Sequence, residues 1–221
     1  MKSVLVIGAS RGIGLELVRQ YRAEGDKVIA TARNAEGLAR ITALGARALL
    51  LDVAAPLSDA WARQMQGETF DVVVLSAGVY GPRSMGLQPP TEQEFDEVMH
   101  TNVLAAMRLL PELVDALAPA ARLAVISSRM GSIGMRGSSA GWLYRASKAA
   151  LNSVLKDVSL ALAGRAICVA MHPGWVRTDM GGSAADIDVA TSVADMRRTL
   201  AALRPADNGG FFNHDGQPLG W

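Results

Sequence analysis

Short apolar runs alternate with longer amphipathic stretches along almost the whole chain, and this alternation restricts the fold more than any other feature. Unbroken apolar runs are typical of strands buried on both faces of a parallel sheet, and apolar residues at helical spacing fill the stretches between them. Parallel strands need crossover connections, which helices supply on both faces of the sheet. The sequence therefore predicts a doubly wound α/β fold of about seven strands, expected at Ser3–Ile7, Val28–Thr31, Ala48–Leu51, Val72–Leu75, Leu123–Ser127, Ile167–Met171 and, briefly, Phe211–Phe212.

Local signals mark several of the predicted helix ends. Gly25 is expected to close the first helix, and Asn34 is a candidate N-cap of the second. Thr91, with Glu94 three positions later, fits a capping box. Pro111 is expected to kink or break the helical region that begins there.

Composition excludes several classes of protein. The chain has 221 residues, half of them hydrophobic, with 22 lysines and arginines against 21 aspartates and glutamates. This balance gives no electrostatic reason to expect nucleic acid or an anionic membrane as a partner. A single cysteine, Cys168, excludes an internal disulfide and a Cys-rich zinc site. With no apolar run of about 18 residues and no signal-peptide core, we expect one cytoplasmic domain over residues 1–221.

A glycine-rich turn lies between the first predicted strand and the first predicted helix. Glycines let backbone N–H groups approach a pyrophosphate, and the helix N-terminus adds a partial positive charge. The strand–turn–helix context indicates a dinucleotide site, although a glycine turn alone also fits a purely structural role. In GxxxGxG spacing, the turn contains Gly8, Ser10, Arg11, Gly12, Ile13 and Gly14.

The end of the second predicted strand bears on the choice between NAD and NADP. An acidic residue about 20 positions past the glycines would bond the ribose 2′-hydroxyl of NAD. The stretch here reads Thr31-Ala32-Arg33, without a carboxylate. Because a guanidinium suits a 2′-phosphate, Arg33 with help from Arg11 predicts NADP(H). The alternative is that Arg33 is a solvated loop residue.

Tyr144 and Lys148 stand four residues apart at the opening of a predicted helix, which places them on one face. A free tyrosine has a pKa of about 10, and a nearby cation lowers that pKa towards the working range of a proton donor. The spacing alone is common on helix surfaces. Combined with the glycine turn and with Ser127-Ser128 at the end of the fifth strand, it indicates proton-transfer chemistry.

Taken in order, these motifs resemble the short-chain dehydrogenase/reductase family over nearly the whole chain. Three further stretches are similar to its small carbonyl-reductase-like branch, which includes the sniffer and C-factor proteins: Ser127–Ser132, Trp175–Gly182 and Phe211–Gly216. The resemblance implies NADPH-dependent reduction of a ketone, aldehyde or quinone to an alcohol. The matching family blocks are Gly8–Gly14, Asp52-Val53, Ser76-Ala77-Gly78, Asn102, Ser128 with Tyr144 and Lys148, and Pro173–Thr178.

The same resemblance implies four catalytic roles. Tyr144 would give a proton to the carbonyl oxygen as hydride arrives from the nicotinamide. Lys148 would hold the nicotinamide ribose and lower the pKa of Tyr144. Ser128 would orient the carbonyl, and Asn102 would support a water that relays protons to Lys148.

The resemblance also assigns cofactor-lining positions. Asp52 and Val53 would lie by the adenine, and Ala77-Gly78 by the adenine-side ribose. The nicotinamide end would be lined by Pro173, Gly174, Val176 and Thr178.

Three features depart from the family pattern. Ile7 stands where threonine is frequent, and Leu75-Ser76 replaces the usual asparagines. We expect both changes to weaken structural hydrogen bonds without removing the chemistry. The interval from Ser128 to Tyr144 is longer than usual, and the choice of Ser128 over Ser127 rests on alignment with the strand-end motif.

The histidines and most sulfur-containing residues are interpreted as structural. The three histidines are scattered, with no arrangement of carboxylates or thiols around them, so no metal site is predicted. Cys168, Met65 and Met107 are expected in the core. The histidines are His100, His172 and His214.

Five apolar residues fall on loops that flank the catalytic blocks. They predict a flexible apolar substrate pocket, with ordinary loop anchoring as the alternative. The motifs leave no room for a separate substrate domain, so the substrate is expected between the loops Val79–Pro90, Arg129–Leu143 and Trp175–Asp186. The five pocket residues are Met130, Met135, Trp142, Trp175 and Met180.

Two other functions compete with a reductase. A dinucleotide-binding signalling protein of the C-factor type would not need the complete set of four catalytic residues, and an epimerase or dehydratase would usually carry a longer substrate region. Relatives commonly pair through the helices that would carry Asn102 and Tyr144. The resemblance therefore implies a homodimer or homotetramer acting on a small-molecule carbonyl.

Overall fold

The computed structural model, which describes residues 1–221, confirms the predicted parallel sheet. Its strands are β1 (Ser3–Ile7), β2 (Lys27–Ala32), β3 (Arg47–Leu50), β4 (Phe70–Leu75), β5 (Leu117–Ile126), β6 (Ala166–His172) and β7 (Phe211–Asn213). They lie in the order β3-β2-β1-β4-β5-β6-β7, and every pairing is parallel. In the central register, Leu5 of β1 pairs with Ile29 of β2 and with Val73 of β4.

Seven α-helices make the connections. They are α1 (Gly12–Ala23), α2 (Ala35–Ala43), α3 (Asp59–Met65), α4 (Glu92–Met99), α5 (Ala105–Glu112), α6 (Trp142–Ala161) and α7 (Val189–Ala202). Two predicted caps are confirmed: Asn34 Oδ1 accepts the Gly37 N–H at 2.9 Å, and Thr91 and Glu94 form the capping box of α4. None of these helices combines the length and the apolar character that crossing a membrane requires.

The two faces of the sheet carry two separate hydrophobic clusters because alternate side chains of each strand point in opposite directions. Leu5 and Ile7 pack with residues of α5 and α6 in one cluster. Val4 and Val6 pack with residues of α1, α2 and α7 in the other. Coverage of both faces explains why the strands read as unbroken apolar runs.

The stretch from Thr91 to Glu112 is interrupted in the middle rather than at its proline. A π-helical turn over His100–Leu104 separates α4 from α5. Pro111 lies in the last turn of α5, and that helix ends one residue later at Glu112. π-Turns inside helices occur frequently at functional sites, and this one carries Asn102.

Three expectations about local structure are corrected. Met107 is 56% exposed on α5, and so is not a core residue. The short helix α3 was not expected from the sequence. Strand β5 begins at Leu117, six residues before the predicted start at Leu123, and bends where Ala120 adopts a positive φ of 59°.

The strand order reverses between β1 and β4, because the strands that follow β1 and the strands that follow β4 lie on opposite sides of this pair. Outward from β1 come β2 and β3, and outward from β4 come β5, β6 and β7. Ligands of open α/β sheets bind in the crevice at the carboxyl ends of the strands at such a point. The glycine turn follows β1 and the stretch Ser76–Gly78 follows β4, so both border this crevice.

Candidate functional site

The glycine turn is packed so tightly that side chains are excluded at two of its positions. Gly8 has a φ of +86°, and a Cβ there would lie 2.6 Å from the backbone of Ala77. A Cβ on Gly14 would lie 2.2 Å from the carbonyl oxygen of Gly8. The close contact brings the turn after β1 against the stretch after β4, where Ser76 and Ala77 both donate backbone N–H groups to the carbonyl of Ile7.

A hydroxyl from β2 compensates for the absence of threonine at position 7. The Gly8 N–H donates to Thr31 Oγ1 at 3.0 Å, and the Ala9 N–H donates to the Thr31 carbonyl at 2.8 Å. Thr31 is fully buried. It therefore ties the turn to β2 without any polar group on Ile7.

The N-terminus of α1 has the properties of an anion site. No acidic residue occupies its first turn, and the N-cap residue Arg11 makes no side-chain cap. The backbone N–H groups of Gly12, Ile13 and Gly14 have no acceptor within the chain. Free N–H groups together with the positive end of the helix dipole fit a pyrophosphate.

Three arginines lie in the glycine turn, immediately after β2, or on α2. Arg33 is exposed immediately after β2. Arg11 forms an exposed ion pair with Asp179, 2.8 Å apart, and is thus directed to the loop after β6. Arg40 Nη1 of α2 donates to the Ser10 carbonyl at 3.1 Å. Arg40 was missed in the sequence because its contact with Ser10 joins residues 30 positions apart and depends on how α2 packs against the glycine turn.

The predicted adenine-side residues lie on loops at the same sheet edge. Asp52 is exposed after β3, and its Oδ1 accepts the Ala54 N–H at 3.0 Å. Val53 packs against the hydrophobic cluster. A Cβ on Gly78 would lie 3.2 Å from Asn102 Oδ1 and 3.3 Å from Lys148 Nζ, so glycine allows both side chains to approach the backbone after β4.

Tyr144 and Lys148 are brought together in the first two turns of α6, and both are buried. Lys148 Nζ lies 5.7 Å from the centre of the Tyr144 ring. It donates a hydrogen bond to the Ile126 carbonyl at 2.9 Å. Burial lowers the pKa of Lys148 to about 8 because the charged ammonium loses its hydration.

The pKa of Tyr144 moves in the direction opposite to the expected one. Burial raises this pKa to about 12, Tyr80 adds to the rise, and a side-chain hydrogen bond with Ser128 opposes it. Helical spacing correctly placed Lys148 near the ring, but burial outweighs that proximity. The structure therefore favours a neutral phenol that holds its proton.

The two serines after β5 have different partners. Ser127 Oγ donates to Asn152 Oδ1 at 2.5 Å, in a buried pair beneath the site. Ser128 Oγ accepts the Met130 N–H at 3.1 Å, and Ser128 opposes the rise in the pKa of Tyr144. This geometry favours Ser128 over Ser127 as the serine that faces reacting groups.

Asn102 bridges the loop after β4 to helix α6. Its Oδ1 accepts the Val79 N–H at 2.8 Å, and its Nδ2 donates to the Val79 carbonyl at 2.8 Å and to Ser147 Oγ at 2.9 Å. Ser147 in turn donates to the Tyr144 carbonyl at 2.8 Å. The π-turn thus places a buried amide that fixes the start of α6.

The stretch after β6 bends back over the glycine turn. Gly174 has a φ of +86°, the Pro173 carbonyl accepts Ser192 Oγ at 2.6 Å, and Val176 is buried. Thr178 Cγ2 would lie 3.5 Å from a Cβ on Gly12. This segment therefore closes one side of the crevice beside the N-terminus of α1.

The five apolar residues expected to form the substrate pocket differ in exposure. Met130 and Trp142 are half-buried near the start of α6. Met135, Trp175 and Met180 are between 40% and 50% exposed, and the Trp175 indole N–H donates to the Gly181 carbonyl of its own loop at 2.9 Å. Tyr80, which the sequence reasoning missed, stacks directly on Tyr144.

Comparison with known proteins identifies the family of the chain and agrees with its fold. Residues 2–187 match the family described as short chain dehydrogenase. The C-signal protein of Myxococcus xanthus is 34% identical over 154 residues, which are 68% of this chain and 92% of that protein.

Among solved structures, the carbonyl reductase Sniffer of D. melanogaster superposes with a TM-score of 0.91 at 31% identity and covers 100% of both chains. A short-chain dehydrogenase/reductase from Burkholderia multivorans with bound NADP has a TM-score of 0.90 at 29% identity, covering 100% of this chain and 99% of its own.

Proposed function

Because the chain belongs to the short-chain dehydrogenase/reductase family, we propose that it is an NADPH-dependent carbonyl reductase. The observation that carries this proposal is the buried group of Ser128, Tyr144 and Lys148 at the carboxyl end of the sheet, next to an anion-binding glycine turn. The family membership makes the chain an oxidoreductase. The cofactor preference, the residue roles and the substrate class are our inferences from the geometry.

The crevice fits a phosphorylated dinucleotide. The free N–H groups of Gly12, Ile13 and Gly14 would hold its pyrophosphate. Arg33 and Arg40 would hold a 2′-phosphate beside Ser10, with Arg40 also paired to Glu36. The end of β2 carries no carboxylate of the kind that selects NAD. The Burkholderia relative with bound NADP supports the same preference.

The remaining cofactor contacts would follow the family pattern. Asp52 and Val53 would border the adenine, and Ala77 and Gly78 the adjoining ribose. Lys148 would hold the nicotinamide ribose through its Nζ. The nicotinamide end would be lined by Pro173, Gly174, Val176 and Thr178.

In the proposed reaction, the carbonyl carbon would be reduced by the hydride that a reduced nicotinamide would supply when bound. Ser128 hydrogen-bonds the carbonyl oxygen and orients it, and the Tyr144 phenol gives that oxygen a proton. Lys148, whose pKa is about 8, exchanges protons near neutral pH and returns one towards Tyr144. Asn102 would support the water in this relay, while its side chain fixes the start of α6.

An apolar carbonyl is the substrate class that we propose. Met130 and Trp142 are half-buried apolar side chains near the start of α6, the helix that carries Tyr144, and the flexible Met180 and Met135 lie on the neighbouring loops. The similarity to a carbonyl reductase of D. melanogaster supports a carbonyl substrate.

We also propose a single-domain architecture and pairing of two copies of the chain. One sheet runs from Ser3 to Asn213, which supports a single domain that holds both the cofactor and the substrate. Phe95 and Met107 on α4 and α5, and Leu160 on α6, expose apolar side chains, which supports pairing of two copies through these helices.

The test is NADPH oxidation against a panel of quinones, aldehydes and ketones. We expect turnover with apolar members, a loss of about 10²- to 10⁴-fold in Tyr144→Phe, and unchanged NADPH affinity in that variant. Ser128→Ala should lose far more activity than Ser127→Ala, which serves as the matched control.

A second candidate function is dinucleotide-dependent signalling, favoured by the 34% identity with C-signal. The same assay separates the two. Tight NADPH binding without turnover of any carbonyl would support the signalling protein and contradict the reductase.

A further inference from the structure

Tyr80, in the loop after β4, covers the ring of the tyrosine proposed to give the proton. The two ring centroids are 4.5 Å apart and the planes are inclined by 20°. Sixty-three residues separate the two in sequence, so the contact exists only because β4 ends and α6 begins at the same side of the sheet. A stacked ring restricts the rotation of Tyr144 and excludes water from one of its faces.

The loop that carries Tyr80 also holds the start of α6. Gly141, the N-cap residue of α6, has a φ of +67°, and a Cβ there would lie 2.5 Å from Tyr80 Oη. The Gly141 N–H donates to the Ser84 carbonyl at 3.1 Å. Glycine at this position lets Tyr80 lie flat against the first turn of α6, three residues before Tyr144.

Arg83 connects the same loop to the loop after β6. Its guanidinium carbon lies 5.2 Å from the centre of the Tyr80 ring, in cation–π contact. Its Nη2 donates to the Met180 carbonyl at 2.9 Å. Tyr144, Tyr80, Arg83 and Met180 thus form one continuous chain of contacts from the reacting phenol to a loop expected to cover the substrate.

We propose that Tyr80 and Arg83 form a latch that positions the Tyr144 ring and couples its position to the loop after β6. The latch rests on the proposed reductase function for its kinetic consequence, but its geometry stands on these contacts alone. Tyr80 is a positioning residue that acts through Tyr144. Arg83 is the connection between that ring and the substrate loop.

The latch has a kinetic consequence. Misplacement of a proton donor by about 1 Å lowers catalysis by roughly 100-fold. Removal of the ring in Tyr80→Ala should therefore lower kcat by roughly 10- to 100-fold while NADPH affinity stays within about twofold. Tyr80→Phe keeps the stack and should restore most of kcat. Arg83→Met, which removes the hydrogen bond to Met180, should raise KM for the carbonyl and lower kcat less.

The kinetic experiment measures kcat, KM and NADPH affinity for three single variants, Tyr80→Ala, Tyr80→Phe and Arg83→Met. It measures the same quantities for the double variant that combines Tyr80→Ala with Arg83→Met. Since both residues act through one chain of contacts, the combined variant should lose little more than Tyr80→Ala alone. Arg63→Met, an exposed change on α3, is the matched control. The latch would be overturned if the activity losses of Tyr80→Ala and Arg83→Met multiplied in the combined variant. It would also be overturned if Tyr80→Phe were as slow as Tyr80→Ala.

Amide hydrogen exchange tests the latch without any turnover. We expect Arg83→Met to accelerate exchange both in residues 175–182 and at the start of α6, and Tyr80→Phe to leave exchange there unchanged. Acceleration confined to the loop after β6 would refute the coupling. If the wild-type protein turns over no carbonyl, the reductase function fails, whereas the exchange result still decides on the latch.

Discussion

Substitution of Gly8 by alanine tests the packing of the glycine turn against the stretch after β4. The added Cβ would lie 2.6 Å from both the N and the Cα of Ala77, at a residue whose φ is +86°. The opposing atoms belong to backbone that is itself hydrogen-bonded to the Ile7 carbonyl. They have no flexible side chain that could move aside, so β1 and β4 must separate at their carboxyl ends.

The free energy of unfolding should fall through two separable effects. A positive φ costs an L-residue about 1–2 kcal/mol, and forcing an extra methyl into a filled space costs about 1–3 kcal/mol. Gly67 is the matched control because its φ is +76° and nothing lies within 4 Å of its Cβ position. Both alanines restrict the unfolded chain equally. The difference between the variants should therefore be about 1–3 kcal/mol, due to the contact with Ala77.

Denaturant unfolding of Gly8→Ala and Gly67→Ala measures this difference directly. NADPH affinity is the second measurement. In Gly8→Ala, separation of the two sides of the crevice should weaken NADPH binding about tenfold or more, because about 1.4 kcal/mol corresponds to a factor of ten. Gly67→Ala should keep the wild-type affinity. If the two variants unfold at the same denaturant concentration, the reasoning from the Cβ contact is refuted.

Three further variants have defined outcomes. Arg33→Ala should lower the ratio of kcat/KM for NADPH to that for NADH by about tenfold or more, and an unchanged ratio would remove Arg33 from the 2′-phosphate site. The pKa of Lys148 is lowered from 10.5 to about 8, so between these pH values only the unfolded chain keeps the proton. The unfolding free energy of the wild type should therefore rise by up to about 3 kcal/mol relative to Lys148→Met as pH increases through this range, and parallel pH profiles would contradict the assignment. Burial lowers the pKa of His172 from 6.5 to about 4. The unfolding free energy of the wild type should therefore fall as pH drops from 6.5 towards 4, and it should fall less steeply in His172→Gln. Equal acid unfolding of the two proteins would contradict a lowered pKa of His172.

The sheet was predictable because its information is local. Each buried strand is an apolar run, and each cap depends on residues three positions apart, as Asn34 and Gly37 illustrate. Helix α3 has only seven residues, too few to establish a period. The π-turn depends on bonds from Asn102 to Val79 and Ser147, which are distant in sequence.

The candidate site was predictable in its motifs but not in its contacts. Spacing brought Tyr144 and Lys148 to one helix face, but it carries no information about burial, which controls the pKa of both groups. The choice between Ser127 and Ser128 needed the position of Asn152. Tyr80 was missed because nothing near it in sequence indicates a partner 64 positions away.

The two shifted pKa values give Tyr144 and Lys148 different roles in the proposed proton transfer. Tyr144, with a pKa raised to about 12, keeps its proton throughout the neutral range and is always ready to give it to a carbonyl oxygen. In alcohol oxidation the same group would first have to lose that proton, against the burial that holds it. Lys148, with a pKa of about 8, is the group of this pair that changes protonation near neutral pH. An inflection near pH 8 in the reduction rate would therefore report Lys148, and it should disappear in Lys148→Met while the residual rate stays independent of pH.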